Sequence, residues 1–422
     1  MNFIPHVVIL GGGFGGLYAA RNLSRAPVRV TLIDRRNHHV FQPLLYQVAT
    51  AALNPSDIAY PIRAVLAGQA NTSVILGEAT SIDLEERHVV LSDGVVNYDY
   101  LVIATGATHS YFGHDDWSAA APGLKTIEDA IEIRSRVLLA FEAAEREEDG
   151  LKQAAWLTFV VVGGGPTGAE LAGALSEIAR QTMLRNFRRI NPSSAKVILI
   201  EGRDRVLPLY PQKLSKSAEQ QLGKLGVEVM KNAVVTHLDD HKVCIGEKTI
   251  PTRTVLWAAG VQASPLAKSL GVPLDRAGRI LVSEDLSIPG HDNVFVIGDL
   301  AAMKQRDGSP VPGVAPAAIQ EGIFIGKMLG RLAHGGSRQM FRYRDKGSVA
   351  TIGRAAAVAD FGKFTLSGFP AWFAWLGIHI FFLIGFRNRL LVMLQWAWAY
   401  VTYKRGARLI TGPVKPLLKD DE

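Results

Sequence analysis

Val7-Val8-Ile9-Leu10 is a short apolar run that stops at Gly11-Gly12-Gly13-Phe14-Gly15-Gly16. Leu17 to Leu23 then takes up a helical pattern, and Val28 to Ile33 is a second apolar run. Apolar runs of this length bounded by turn residues suit strands covered on both faces, so the pattern predicts strand, glycine turn, helix and parallel strand. The same order returns as Phe159–Val162, the turn Gly163-Gly164-Gly165-Pro166-Thr167-Gly168, a helical Ala169–Ile178 and the strand Val197–Ile200. Two such units roughly 150 residues apart predict two nucleotide-binding domains, not a short-period repeat array.

Between them, Val137 to Gln153 reads as a solvated, charged helix ending at Gly150 as a C-cap. Ile82 to Tyr100 alternates apolar and polar positions around Asp93-Gly94, which predicts an antiparallel excursion. Arg180 to Lys196 is an insertion before the second unit's second strand, closed by the loop Asn191-Pro192-Ser193-Ser194. From Phe369 the pattern changes. Phe369 to Phe386 is apolar and aromatic apart from His379, Arg387-Asn388-Arg389 follows, and Leu390 to Val401 is apolar again ahead of Lys404, Arg405 and Arg408.

At 422 residues the chain is long enough for two or three domains. The boundaries read from the pattern are a first nucleotide domain at 1–153, resumed at 286–336, a second at 154–285, and a tail region at 337–422. With 48% apolar and 20% charged residues the chain describes a filled core. The net charge of +7 fits nucleic acid or an anionic membrane. The basic residues are spread out except near the C-terminus, with no basic stripe and interleaved aromatics, so a membrane surface is expected and nucleic acid is not. The single cysteine, Cys244, excludes intrachain disulfides and reads as a small buried side chain in Lys242–Ile245. No zinc, haem or iron–sulfur ligand set stands in the sequence, so no metal is expected. Met1–Pro5 leads straight into a strand, without the pattern of a secretory or transit leader.

The glycines carry the chemistry. Gly11, Gly13 and Gly16 fit G-x-G-x-x-G: the first makes the tight turn, the second admits a pyrophosphate and the third lets helix and strand pack closely. Asp34 closes the next strand where a carboxylate grips a ribose hydroxyl. Gly163, Gly165 and Gly168 repeat the motif, with Glu201 as the acid beyond the insertion. An acid there favours NADH over NADPH by like-charge repulsion, while Arg203 and Arg205 stand close enough to serve a 2′-phosphate. Two fingerprints suggest non-covalent FAD at the first and NADH, as co-substrate, at the second, because hydride transfer needs both dinucleotides in one protein. Leu101–Gly106 and Val294–Asp299 are further strands ending in turns, which adds Thr105, Gly106, Gly298 and Asp299 to the FAD set. Asp299 is expected to accept hydrogen bonds from ribityl hydroxyls.

Across nearly its whole length the chain resembles the type II NADH:quinone oxidoreductases, the non-pumping NADH dehydrogenases. The resemblance lies in both glycine motifs, in His39-Val40-Phe41-Gln42-Pro43-Leu44-Leu45-Tyr46-Gln47-Val48-Ala49-Thr50, and in Ala104-Thr105-Gly106-Ala107. It continues in Leu256-Trp257-Ala258-Ala259-Gly260, Ile297-Gly298-Asp299 and Ile384-Gly385-Phe386-Arg387-Asn388-Arg389. It implies an α/β fold with two Rossmann-like dinucleotide-binding domains, for FAD and NADH, and a C-terminal membrane-associating helical tail. Hydride then passes from NADH to FAD, and two electrons pass to a membrane quinone without proton pumping. The resemblance further implies that Ala259 and Gly260 serve NADH and that quinone meets Tyr46 and the segment carrying Pro316, Gln320 and Glu321. Gln320 and Glu170 are the implied catalytic residues. Much of the family holds glutamine at the positions of Pro316 and Glu321, so this chain departs there. A homodimer is the implied assembly. On the residues themselves, Pro316 suits the first turn of a helix to about Arg331, and Gln320, one turn in, is expected to donate its amide N–H to a quinone carbonyl.

The tail has three readings. As one helix, Phe369–Phe386 would span about 27 Å, near the minimum for crossing a bilayer. A crossing would put the following cations opposite the domain that meets NADH, against the positive-inside tendency. An interfacial anchor is therefore expected, with Trp372, Trp375, Trp396 and Trp398 at the apolar boundary and Arg387, Arg389, Lys404, Arg405 and Arg408 at headgroups. Burial in a core or dimer interface is the third reading. The expected location is peripheral, on the cytoplasmic face of a bacterial inner membrane. Two rival functions share parts of the pattern: a soluble ferredoxin-reductase-like enzyme would not need the tail, and a flavin redox sensor at the membrane would turn over little quinone.

Overall fold

The computed structural model describes residues 3–402 and 405–411. Its chain falls into two compact units, the first made of residues 1–40, 59–108 and 261–346, and the second of residues 41–58, 109–260 and 347–422. Both are built on the strand–turn–helix–strand pattern of the sequence.

The first unit holds a six-stranded sheet in the order Ser287–Ile288, His291–Val296, Tyr100–Ile103, His6–Leu10, Arg29–Asp34, Thr72–Leu76. All pairs are parallel except the Ser287–Ile288 edge. The His6–Leu10 strand is buried along its whole length, as its apolar run Val7–Leu10 requires, with the His6 ring hydrogen-bonded to Thr31. The Phe14–Asn22 and Ala315–Leu332 helices pack closely. A Cβ on Gly322 would meet the Gly15 carbonyl oxygen, so the small residue is a condition of that approach. The expected antiparallel excursion forms as Ala79–Asp83, His88–Leu91 and Gly94–Asn97.

The second unit has the parallel order Val227–Met230, Lys196–Ile200, Thr158–Val162, Thr254–Trp257. The Pro166–Glu177 helix lies against the strand Ser348–Gly353, closely enough that a Cβ on Gly173 would meet the Ile352 carbonyl oxygen. The two tail helices belong to this unit.

Several local expectations are corrected. The connecting helix begins at Ile127, under a Thr126/Asp129 capping box, and ends at Arg146. It buries ten side chains, including Ile133, Val137 and Phe141, so it is a core helix and not a solvated one. Gly150 is no C-cap: it opens a second helix, Gly150–Trp156, whose N-cap Asp149 accepts from Leu151 and Lys152. Cys244 is half-buried, with Sγ 3.7 Å from Thr249 Oγ1. The tail is two helices, Phe369–Phe382 and Phe386–Thr402, broken where Leu383 turns extended and Gly385 takes φ +87°. No helix among the described residues is long and apolar enough to cross a membrane.

Candidate functional site

The two glycine turns share one geometry. Gly11 has φ +102° and Gly163 φ +106°, the left-handed region that L side chains avoid. A Cβ on Gly16 would strike the Gly11 carbonyl oxygen, and one on Gly168 the Gly163 carbonyl oxygen. Where a Cβ on Gly13 or Gly165 would point, none of the described residues lies within 4 Å. The first and third glycines therefore serve the fold, and the second keeps the approach to the loop open. Gly13 and Gly165 each precede a helix with no side-chain cap, so its first N–H groups suit an anion.

The acids are held alike. Asp34 accepts from the Gly12 N–H at 2.5 Å and the Arg36 N–H at 2.7 Å. Glu201 accepts from the Gly164 N–H at 2.7 Å and the Arg203 N–H at 2.8 Å. Arg203 thus supports the carboxylate through its backbone, while Arg205 donates a guanidinium N–H to the Pro208 carbonyl at 3.2 Å.

The residues of the first unit fit FAD. Besides the open approach at Gly13, Thr105 Oγ1 is buried just after the Tyr100–Ile103 strand and has no hydrogen-bond partner among the described residues. Gly106 and Gly298 have φ +69° and +73°. Glu321, 2% exposed, accepts from the Gly298 N–H at 2.5 Å, so it braces the turn that carries Asp299. Burial pushes the Glu321 carboxyl up to about 8, against the opposing Gly298 hydrogen bond. Pro316 stands in the first turn of the Ala315–Leu332 helix, as expected. Gln320 does not. Its amide nitrogen donates to the Pro316 carbonyl at 3.2 Å and the Arg344 carbonyl at 3.0 Å, and its oxygen accepts from the Arg344 N–H at 3.1 Å. The amide fastens the segment around Arg344, so a donation to quinone would have to replace one of these hydrogen bonds. Nothing in the sequence showed that partner, which lies 24 residues away.

In the second unit Ala259 and Gly260 follow the Thr254–Trp257 strand, and Gly260 has φ +72°. Tyr46 and Glu170 are brought together in a cavity of about 130 Å³, with Gln47, Glu177, Trp375 and Arg405 also in its wall. Glu170 keeps some accessible surface because it lines the cavity, but the protein around it desolvates the carboxyl and pushes it up to about 8. Burial likewise raises the Tyr46 hydroxyl well above its ordinary range. Trp375 is 2% exposed and its indole N–H has no hydrogen-bond partner among the described residues.

The tail residues divide. Arg405 is not a headgroup residue: its guanidinium lies 2.9 Å from Glu177 and 2.8 Å from the Thr50 carbonyl. Arg408 donates to the carbonyls of Arg405 and Thr182. Trp375 is buried and Trp396 donates its indole N–H to Gln47 at 2.7 Å, so both face the protein. Trp398, 62% exposed, and the exposed Arg387 and Arg389 remain outward; Trp372 is half-buried, and Lys404 lies outside the described residues.

Residues 5–322 match the family described as pyridine nucleotide-disulphide oxidoreductase, and residues 346–402 match the NDH2 C-terminal domain. A type II NADH:quinone oxidoreductase of Mycobacterium tuberculosis, NdhA, is 45% identical over 96% of this chain and 89% of its own length. One of Staphylococcus aureus is 30% identical over 85% of this chain and 90% of its own. The fold matches a structure of NDH2 from Plasmodium falciparum in complex with NADH at TM-score 0.88 and 22% identity, covering 99% of this chain and all of that one. The ferredoxin-reductase and sensor readings gain no comparable support. With its two acid-paired glycine turns and its matching tail, this chain belongs to the type II NADH:quinone oxidoreductases.

Proposed function

We propose that the first unit binds FAD through Gly11, Gly13, Gly16, Asp34, Thr105, Gly106, Gly298 and Asp299. In the same reading NADH is held by Gly163, Gly165, Gly168, Glu201, Ala259 and Gly260, and quinone enters the tail-lined cavity at Tyr46 and Glu170. The observation that carries the quinone reading is that cavity. Aromatic walls suit a planar ring. Of the polar groups in the wall, Glu177 and Arg405 are paired with each other and Gln47 is bonded to Trp396, while the Tyr46 hydroxyl, the Trp375 indole N–H and the Glu170 carboxyl offer contacts to a ligand. Bound FAD supplies the two-electron chemistry that accepts hydride from NADH and returns electrons to quinone. Glu170, protonated at neutral pH, and Tyr46 hold protons for oxygens that gain negative charge. Glu321 acts at one remove, bracing the turn that bears Asp299. The test is an anaerobic absorption spectrum: the protein should be yellow, bleach with NADH and recover its colour with quinone. A colourless protein, or a bleached one that quinone does not restore, defeats the reading.

The exposed Phe369, Phe373, Phe381, Leu394, Trp398 and Val401 form the apolar surface of the tail helices, and Arg387 and Arg389 follow directly after the break between them. That composition supports a helix pair lying in the membrane interface, on the cytoplasmic face where NADH is available. The family resemblance supports a homodimer.

Two variants test the dinucleotide assignments. Asp34→Ala should weaken FAD retention by about 1.5–3 kcal/mol, since a charge-assisted contact to the ribose is lost. Equilibrium dialysis of the flavin measures this, and unchanged retention would move the ribose contact elsewhere. Glu201→Gln should narrow the preference for NADH over NADPH by relieving repulsion of the 2′-phosphate. The ratio of kcat/KM for the two nucleotides reads the effect, and an unaltered ratio would assign selectivity to Arg203 and Arg205.

A further inference from the structure

Tyr46, Gln47 and Trp396 form a hydrogen-bonded row that ties the second tail helix to the cavity. Trp396 Nε1 lies 2.7 Å from Gln47 Oε1, and Gln47 Nε2 lies 2.8 Å from the Tyr46 hydroxyl. An indole nitrogen only donates, so the Gln47 atom facing it must be the oxygen. The amide NH₂ is thereby turned to Tyr46, whose oxygen accepts. With that interaction filled from the Gln47 side, the tyrosine's own proton is left to donate elsewhere, and Tyr46 lines the cavity. Tyr46 and Gln47 are 7% and 8% exposed, so water does not compete freely for either group.

We propose that Trp396 and Gln47 are positioning residues that set the direction of the Tyr46 O–H, making it a donor to a quinone carbonyl in the cavity. The proposal rests on the quinone reading above. It gives the tail helix a second task. Trp396 is held inward while Met393, Leu394 and Trp398 on the same helix are exposed, so how that helix is seated decides whether Tyr46 can donate. Without the indole N–H the Gln47 amide is free to turn over and present its oxygen to Tyr46. The tyrosine proton would then point at Gln47 and be lost to the ligand.

The test uses full-length, FAD-loaded protein and a short-chain ubiquinone, with Tyr46→Phe, Trp396→Phe, the double variant and Gln47→Leu. Bleaching of the flavin by NADH reports in each case that the fold and nucleotide sites are intact. Tyr46→Phe should raise KM for the quinone about tenfold, the worth of one hydrogen bond. Trp396→Phe, which removes the indole N–H and makes the ring smaller but keeps an aromatic side chain, should reproduce most of that rise. The double variant should be no worse than Tyr46→Phe alone, because both changes remove the same donated proton. Gln47→Leu should give an intermediate rise, since it frees the hydroxyl to rotate without drawing it inward. If Tyr46→Phe is without effect, the quinone reading of the cavity fails, and the positioning role with it. If Tyr46→Phe acts but Trp396→Phe and Gln47→Leu do not, or if the two single effects multiply in the double variant, only the positioning role is overturned. Should Trp396→Phe fail the bleaching control, Gln47→Leu and its combination with Tyr46→Phe decide by the same criterion.

Discussion

Arg405→Ala is expected to destabilise the second unit by about 3–5 kcal/mol, the usual effect of removing one member of a buried ion pair. The side chains of Arg405 and Glu177 are only 11% and 18% exposed. One guanidinium nitrogen lies 2.9 Å from Glu177 and another 2.8 Å from the Thr50 carbonyl. The second Glu177 oxygen accepts from the Arg354 N–H at 2.6 Å, so the pair ties the chain just after the tail helices to the segments of Thr50, Glu177 and Arg354. Loss of the cation would leave a carboxylate and a carbonyl in a poorly solvated place. Against a typical stability of about 5–15 kcal/mol this is a large fraction. Urea unfolding followed by tryptophan fluorescence measures it, and Arg405→Ala with Glu177→Ala should cost less than the sum of the two. A loss below about 1 kcal/mol would mean the pair behaves as a solvated surface bridge. Membrane electrostatics should accordingly be tested at Arg387 and Arg389, because changing Arg405 disturbs the fold first.

The second large effect is on the pH dependence of stability. Burial holds both Glu170 and Glu321 at about 8, whereas an unfolded glutamate titrates near ~4.3. Between these values the folded chain keeps protons that the unfolded chain has released. Stability therefore falls as pH rises across this window, by about 1.4 kcal/mol per pH unit for each group. The loss is absent below the unfolded value and complete above the folded one. Glu321→Gln keeps an oxygen for the Gly298 N–H and has nothing to titrate. It should remove about 1.4 kcal/mol per pH unit of the slope between pH 5.5 and 7.5 and be more stable than the parent at pH 7. Unfolding curves at several pH values measure the slope. One that Glu321→Gln leaves unchanged would mean the carboxylate is ionised in the folded protein. The family's frequent glutamine at this position fits the same bracing role, since the accepting oxygen is what the turn uses.

The sequence by itself determined the two glycine turns, their acids and the strands that lead into them. These features depend on local chain geometry: an apolar run of strand length, glycines that alone accept φ near +100° or a carbonyl at Cβ distance, and a carboxylate ending the next strand. The capping box at Thr126 and Asp129 is equally local, a Thr followed three residues later by an acid ahead of an apolar helix face. Whether a polar or aromatic side chain is free was decided only by the tertiary structure. Gln320 meets Arg344 across 24 residues, Arg405 meets Glu177 across 228, and Trp396 meets Gln47 across 349. Composition made the tail uniformly apolar and basic. Packing turned Trp375, Trp396 and Arg405 inward and left Phe373, Trp398 and Arg387 outward. The physical reason is one of range. Backbone preference and periodicity are set within a few residues, while burial and pairing depend on which distant segments arrive beside a side chain, and no local pattern encodes that.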